Sequence, residues 1–132
     1  MAGTVIAEEL DLLEGYGEFK NILPFDIDDT VFCVSWVELN GTTYRNGMYL
    51  STRSKDYKIM FNKIQHVLIV NADTITFLCL QVNIITFSQH FQSFEIEDTD
   101  RWTYVVQKKL TDVSSLNRHM MPNGKYYIPL VL

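Results

Sequence analysis

Three Asn-Gly pairs, at residues 40–41, 46–47 and 123–124, constrain the fold of this chain more than any other feature. Asn-Gly is the pair that most readily takes positive φ at both central positions of a two-residue hairpin turn, whose twist then matches that of the flanking strands. Residues 42–44 lie between the first two pairs and are therefore predicted to form a short strand between two tight turns. The pattern favours an antiparallel β fold built from hairpins.

Apolar and β-branched runs outside these turns predict the main strands. Residues 30–39 are apolar on both alternating faces, which predicts a central strand, and residues 61–70 and 74–85 predict an antiparallel hairpin. Strict alternation over residues 102–110 predicts a half-exposed strand near a sheet edge. The remaining predictions are a strand over 48–52, a bend and short strand over 87–97, a short helix or turn over 111–116 and a last strand over 125–132. Together they predict a mainly β fold, a small antiparallel β-barrel.

Residues 1–29 differ in charge from the rest, because they hold eight of the sixteen acidic residues and a single base, Lys20. Apolar residues spaced by three and four over residues 5–15 predict a short amphipathic helix. We predict two parts, an acidic N-terminal arm with a short helix at 1–29 and a β-barrel domain at 30–132. Two interpretations of residues 16–29 stay open: a lid packed on the barrel, and an arm that docks on a partner.

Composition limits the class of protein. With 132 residues and 47% hydrophobic residues, the chain can bury a core without metals or disulfides. It has no run of about 18 apolar residues and its acidic N-terminus differs from a secretory signal, so we expect a soluble, intracellular chain without a membrane partner. Cys33 and Cys79 lie in apolar runs outside any CxxC motif and are expected to be buried thiols, with a disulfide between them left open.

Motifs for catalysis or cofactor binding are not found. His66, His90 and His119 lack the spacing of metal ligands, and His66 is expected to be a hydrogen-bonded core histidine. There is no GxSxG, no Cys/His pair and no glycine-rich phosphate loop. We therefore predict a protein that is not an enzyme and holds no metal or cofactor.

Two groups of residues are candidate binding sites. In the first, aromatic rings near strand ends could form a cage for a methylated lysine, or could simply be core. Its members are Trp36, Tyr44, Tyr49, Tyr57 and Phe61. In the second, bases around a loop could contact phosphate or an acidic partner, or could simply be solvated. Its members are Arg53, Lys55, Lys58 and Lys63.

Four motifs follow one another along the chain: YRNGMYL, FNKIQHVLIV, HFQSFEI and KYYIPL. Their order resembles a C-terminal β-domain of uncharacterised transposon-related proteins of fish and other animals, and the resemblance covers about residues 30–132. It implies a part of a larger nuclear or transposition-associated protein. The chain is also similar to the BAH domain, an SH3-like small barrel, at Tyr44 to Gly47 and Phe61 to Ile64. That similarity fades beyond Val70, so no cage residue is carried over from it.

We therefore expect a non-enzymatic module that binds a protein or peptide, more in the nucleus than in the cytoplasm. The alternative is a nucleic-acid-binding accessory domain that uses the basic loop at 53–63. The net charge of −5 disfavours this alternative, because affinity for the phosphate backbone scales with the number of Lys and Arg contacts.

Overall fold

The computed structural model describes residues 5–6, 10–25, 29–39, 41–53, 59–71, 74–106, 114–116, 119–120 and 123–129. The strands are β1 (Val5–Ile6), β2 (Val31–Val34), β3 (Trp36–Leu39), β4 (Thr42–Arg45), β5 (Tyr49–Arg53), β6 (Ile59–Val70), β7 (Thr74–Ser88), β8 (Ser93–Val106), β9 (Ser114–Leu116), β10 (His119–Met120) and β11 (Tyr126–Pro129). A 3₁₀ helix spans Leu10–Leu12, and a single turn of α-helix, α1, spans Tyr16–Phe19. All described strand pairs are antiparallel, so the predicted mainly β, antiparallel fold is confirmed.

Three long strands, β6, β7 and β8, form the centre of a nine-stranded sheet with the order β1-β2-β6-β7-β8-β11-β10. One edge of β6 pairs with β5 near its start and with β2 near its end, and β5 pairs in turn with β9. The predicted hairpin of residues 61–70 and 74–85 is confirmed, because β6 and β7 pair from Phe61–Val82 to Val70–Thr74. Strands β3 and β4 form a separate two-stranded sheet.

The predicted central strand over residues 30–39 is wrong as a single element, because it breaks at Ser35 into β2 and β3. Strand β2 lies between β1 and β6, whereas β3 leaves the large sheet to pair with β4. The segment is apolar on both faces because each face of β2 contributes a buried side chain. Periodicity alone does not show whether such a segment is one continuous strand. Cys33 packs on one side of the large sheet and Val34 on the other, each in its own buried cluster.

The first two Asn-Gly pairs lie in different kinds of connection: one joins two paired strands, and the other joins strands of different sheets. Leu39 pairs with Thr42, which confirms a tight hairpin between β3 and β4, and Gly41 has φ 83°; Asn40 lies outside the described residues. At residues 46–47 the predicted hairpin is wrong: only Gly47 has positive φ, at 90°, and the turn carries the chain from β4 into β5 of the other sheet. A positive φ at the third residue alone is the feature of a type II turn.

Two helix predictions are also wrong. Residues 5–15 do not form one amphipathic helix, since Val5–Ile6 pairs with β2 and, among the described residues of that range, only Leu10–Leu12 is helical. Within 111–116, Ser114–Leu116 is not a helix or turn but strand β9, paired with β5; residues 111–113 lie outside the described part. Both are short segments whose pairing partner is distant in sequence, and a strand partner can override local preference.

The large sheet carries apolar residues on both faces. On the face covered by the β3–β4 hairpin, buried side chains form a first cluster: Val34, Val37, Tyr44, Leu50, Ile64, Val67, Phe77, Cys79 and Val105. On the opposite face the described part of residues 10–25 packs over Cys33, Leu68 and Leu78 with the buried side chains of Leu13 and Phe19. This packing corresponds to the lid interpretation; the division of the chain at residue 29 stays a prediction.

A third buried cluster comprises Tyr49, Phe61, Val82, Ile96 and Ile128. The strand pairing places this cluster on the same face of the sheet as the second cluster, beyond the bulges in β6, β7 and β8.

Cys33 and Cys79 lie in different clusters, on opposite sides of the sheet, which confirms two buried thiols. Among the described residues no helix has the length and apolar character needed to cross a membrane.

Candidate functional site

The predicted aromatic group is divided by the fold. Tyr44 is buried in the first cluster, against Phe77, while Tyr49 and Phe61 are buried in the third. Burial raises the pKa of the Tyr44 phenol above its ordinary value, and a hydrogen bond with the Thr42 side chain opposes that rise. A cation–π cage needs ring faces that a ligand can reach, and these three buried rings offer none in the folded state.

The other two members of this group give no further support. Trp36 begins β3 and is half-buried, and its cross-strand partner is Arg45 rather than another member of the group. Tyr57 lies outside the described residues. The five-residue cage therefore stays a prediction without a geometric counterpart among the described residues.

The predicted basic group is only partly described. Arg53 ends β5, and Lys55 and Lys58 lie outside the described residues. The Lys63 ammonium lies 3.4 Å from Asp98 Oδ2, and the Tyr49 hydroxyl donates a 2.8 Å hydrogen bond to Asp98 Oδ1. The charge of Lys63 is thus compensated within the protein, and the nucleic-acid alternative stays a prediction resting on the other three bases.

The histidines do not form a metal site within the described residues, where no three His, Cys, Asp or Glu side chains come together. His66 Nε2 lies 2.8 Å from the Glu14 carbonyl oxygen, and because a carbonyl only accepts, Nε2 carries the proton. The ring stacks on Trp102 with an interplanar angle of 6°. His66 is hydrogen-bonded as predicted, but it is half-buried and belongs to none of the three buried clusters, so its prediction as a core residue is not confirmed.

Two β-bulges in the β7–β8 hairpin give this part of the sheet its distinct shape. In the first, Ile84 pairs with Ile96 and Thr86 with Glu95, so Ile85 is an extra residue with no partner on β8. A bulge re-aims the side chain of its extra residue, and such irregularities concentrate near functional sites. Ile85 is accordingly 50% exposed, whereas its neighbour Ile84 is partly buried against the third cluster.

Ile85 lines a groove of about 350 Å³, which we call the Ile85 groove. Its other lining residues are Glu95, Ile96, Glu97, Asp98, Lys125 and Tyr126. Tyr126 is 38% exposed, and its cross-strand partner Met120 is 65% exposed. Three large exposed apolar side chains thus lie at or beside one groove.

The rim of the Ile85 groove is acidic. Lys125 Nζ lies 3.3 Å from Glu95 Oε1. Asp98 forms an ion pair with Lys63 and accepts a hydrogen bond from the Tyr49 hydroxyl. Glu97 is exposed and forms no ion pair with another described residue. The groove therefore combines apolar walls with one uncompensated negative charge.

The second bulge is larger and lies in β8. Leu80 pairs with Trp102 and Val82 with Asp98, so residues 99–101 of β8 stand opposite the single residue Gln81. The bulge is fixed by hydrogen bonds: Thr99 Oγ1 donates to the Gln81 carbonyl at 2.6 Å, and the backbone N–H of Arg101 donates to Thr99 Oγ1 at 3.2 Å. These hydrogen bonds hold the bulge of β8 against Gln81, and Arg101 lies at its end.

The guanidinium of Arg101 is held by neutral partners. Its Nε donates to Gln81 Oε1 at 3.1 Å and its Nη2 to Asn83 Oδ1 at 2.7 Å. No carboxylate of the described residues pairs with it. It lines a second groove of about 270 Å³, the Arg101 groove, with Ile59, Met60, Phe61, Asn62, Gln81, Val82, Asn83 and Ile84.

Sequence reasoning missed both grooves. One signal was available: Gln81 and Asn83 stand two residues apart in the otherwise apolar run of residues 77–85, the spacing that puts two polar side chains on one face. The exposure of Ile85 had no such signal, since it depends on where the register shifts.

Comparison with known protein families, characterised proteins and solved structures finds no match to this chain.

Proposed function

We propose that this protein is a non-enzymatic interaction module that binds a peptide segment of a partner protein in the Ile85 groove. The observation that carries the proposal is the bulge that turns Ile85 outward beside the half-exposed ring of Tyr126. Exposed apolar side chains around a concave site favour binding, and burying one such side chain contributes about 1.5–3 kcal/mol.

Charge specifies the kind of peptide. Glu95, Glu97 and Asp98 line the groove against a single base, Lys125. Complementary charge steers association and selects between partners. The proposed occupant is therefore an apolar residue flanked by Lys or Arg, with the apolar side chain between Ile85 and Tyr126 and the cation near Glu97.

Selection from a peptide library displayed on phage tests this proposal. The expected result is enrichment of peptides that contain an apolar residue next to Lys or Arg. Their binding should fall about tenfold or more in Ile85→Ser, because the lost apolar contact is worth at least one factor of ten in affinity.

The matched control is Phe32→Ser, which removes another partly exposed apolar side chain, on β2 and outside the groove. Binding should survive this change. Enrichment of acidic peptides, or equal loss in the two variants, would contradict the proposed site.

We also propose that the large sheet curls to form the wall of a small β-barrel of the SH3 or BAH type. Support comes from the third cluster, in which Tyr49 of β5 packs with Ile128 of β11, although these strands pair on opposite sides of the β6–β7–β8 centre. Amide hydrogen exchange tests closure: protection of the outer edges of β9 and β10 supports a closed barrel, and rapid exchange at both edges opposes it.

A nuclear, transposon-associated setting completes the proposal and rests on the resemblance of residues 30–132 alone. Microscopy of the tagged chain in animal cells tests the setting. Nuclear enrichment supports it, whereas exclusion from the nucleus opposes it.

A further inference from the structure

The Arg101 groove has the features of a binding site for a small anion with an apolar tail, independent of the peptide surface. Arginine has five N–H donors in a planar fork. Two of them are used, toward Gln81 and Asn83. Three donors and the whole positive charge remain for a ligand.

Three neutral amides surround this cation. Asn62 lies directly opposite Gln81 in the register, and Gln81 and Asn83 are two residues apart, so the three side chains share one face of the sheet. Asn62 is only 5% exposed, and its side-chain amide forms no hydrogen bond to another described residue. Because no buried side-chain N or O atom of the described residues lacks a hydrogen-bond partner, the amide atoms of Asn62 reach the solvent of the groove and can donate to a ligand there.

The remaining wall is apolar. Met60 lines the same groove, is 41% exposed and lies two residues from Asn62 on β6, so the two side chains share one face. The side chains of Ile59 and Ile84 pack against the third cluster instead. The groove volume of about 270 Å³ is large enough for a short branched hydrocarbon next to Met60. The guanidinium fork matches the two oxygens of a carboxylate in a bidentate pair.

We propose that the Arg101 groove binds an aliphatic carboxylate, with the carboxylate on Arg101 and the hydrocarbon against Met60. The amides of Asn62 and its neighbours donate to the same carboxylate or to a polar group beside it. This chemistry occurs both in a free short-chain acid and in the last residue of a peptide chain.

Glu97 adds a testable consequence. It lies directly opposite Asn83 and also lines the Ile85 groove, so its carboxylate stands between the two sites. Its negative charge opposes an anion at Arg101 and attracts a cation at the Ile85 groove. Glu97→Gln should therefore strengthen the first interaction and weaken the second.

Amide chemical shifts of the isotope-labelled protein, followed during titration, test the proposal with three probes of similar shape. These are 4-methylpentanoate, N-acetyl-leucine and the uncharged 4-methylpentanamide. Saturable shifts at residues 81–84 and 99–101 with either carboxylate, and at least about tenfold weaker binding of the amide, are expected from a charge-assisted pair. Tighter binding of N-acetyl-leucine would identify a peptide terminus as the source, and tighter binding of 4-methylpentanoate a free acid.

Variants give the second arm. Arg101→Gln should abolish the difference between carboxylate and amide, and Glu97→Gln should tighten carboxylate binding. Equal binding of acid and amide by the wild type, or the absence of saturable shifts with both acids, would overturn the proposal. The wild-type comparison does not depend on whether Arg101→Gln folds. Failure here leaves the phage selection at the Ile85 groove unaffected, since that test uses different residues and probes.

Discussion

Replacement of Phe19 by alanine should remove a large part of the stability of this protein. The Phe19 side chain is fully buried, with ring centroids 5.1 Å from Trp102 and 5.9 Å from His66. Deleting a buried phenylalanine to alanine costs about 3–5 kcal/mol, because the transfer free energy is lost and a cavity remains. Single domains have a total unfolding free energy of about 5–15 kcal/mol, so the variant should lie near the limit of folding.

Urea titration followed by tryptophan fluorescence measures this loss. With a denaturant slope of about 2 kcal/mol per molar urea, the midpoint should fall by about 1.5–2.5 M. The matched control is Leu12→Ala, in the same N-terminal segment, where the side chain is 69% exposed and the expected change is within about 0.5 kcal/mol. If the two variants had equal midpoints, residues 10–25 would not be packed on the sheet as described.

The same packing bears on the predicted division at residue 29. Deletion of residues 1–29 would remove Leu13 and Phe19 from the second cluster and expose Leu68 and Leu78. We therefore expect the isolated residues 30–132 to melt at a lower temperature than the full chain or to lose their cooperative transition. A melt as sharp and as high as that of the full chain would support an arm that is independent of the β-domain.

Three further predictions concern other parts of the fold. Gly47 and Gly17 both have open space where a Cβ would lie, but Gly47 is at φ 90° and Gly17 lies in α1. In thermal melts, Gly47→Ala should destabilise the fold by about 1–2 kcal/mol and Gly17→Ala should stabilise it by about 0.5–1 kcal/mol. Changes of equal sign would contradict the turn geometry. Burial raises the pKa of the Cys79 thiol above its ordinary value, so the unfolded chain loses this proton at a lower pH than the folded one. Stability should then decline as the pH rises above about 8.5, by at most about 1.4 kcal/mol per pH unit for this group, and Cys79→Ala should show a shallower decline in urea titrations. Tyr49→Phe removes the hydrogen bond to Asp98 and should cost about 1–3 kcal/mol by urea titration, whereas an unchanged midpoint would show that this buried hydroxyl contributes nothing.

The sequence predicted the β class and several strands because those signals are local. Gly41, Gly47 and Gly124 all have positive φ, as their position after asparagine suggested. The apolar runs that became β6 and β7 pair with each other across a short connection, as hairpin rules predict. Nothing in these predictions required knowledge of a distant partner.

The candidate sites could not be predicted because they depend on register. Alternation identifies the face of a residue only while pairing is continuous, and a shift of one residue moves the following side chains to the other face. The bulges at Ile85 and at residues 99–101 interrupt that continuity, and no local turn signal marks either of them. The proximity of Trp102 to Gly15, likewise, follows only from the docking of α1 on the sheet.

The central functional claim is that the Ile85 groove holds a basic, apolar peptide. The most direct test is an amide chemical-shift titration of the labelled protein with the tightest peptide from the phage selection. We predict saturable shifts confined to Ile85, residues 95–98 and residues 125–126, which line the groove. Shifts centred instead on Phe32 and the rest of β2, with residues 95–98 unchanged, would contradict this account.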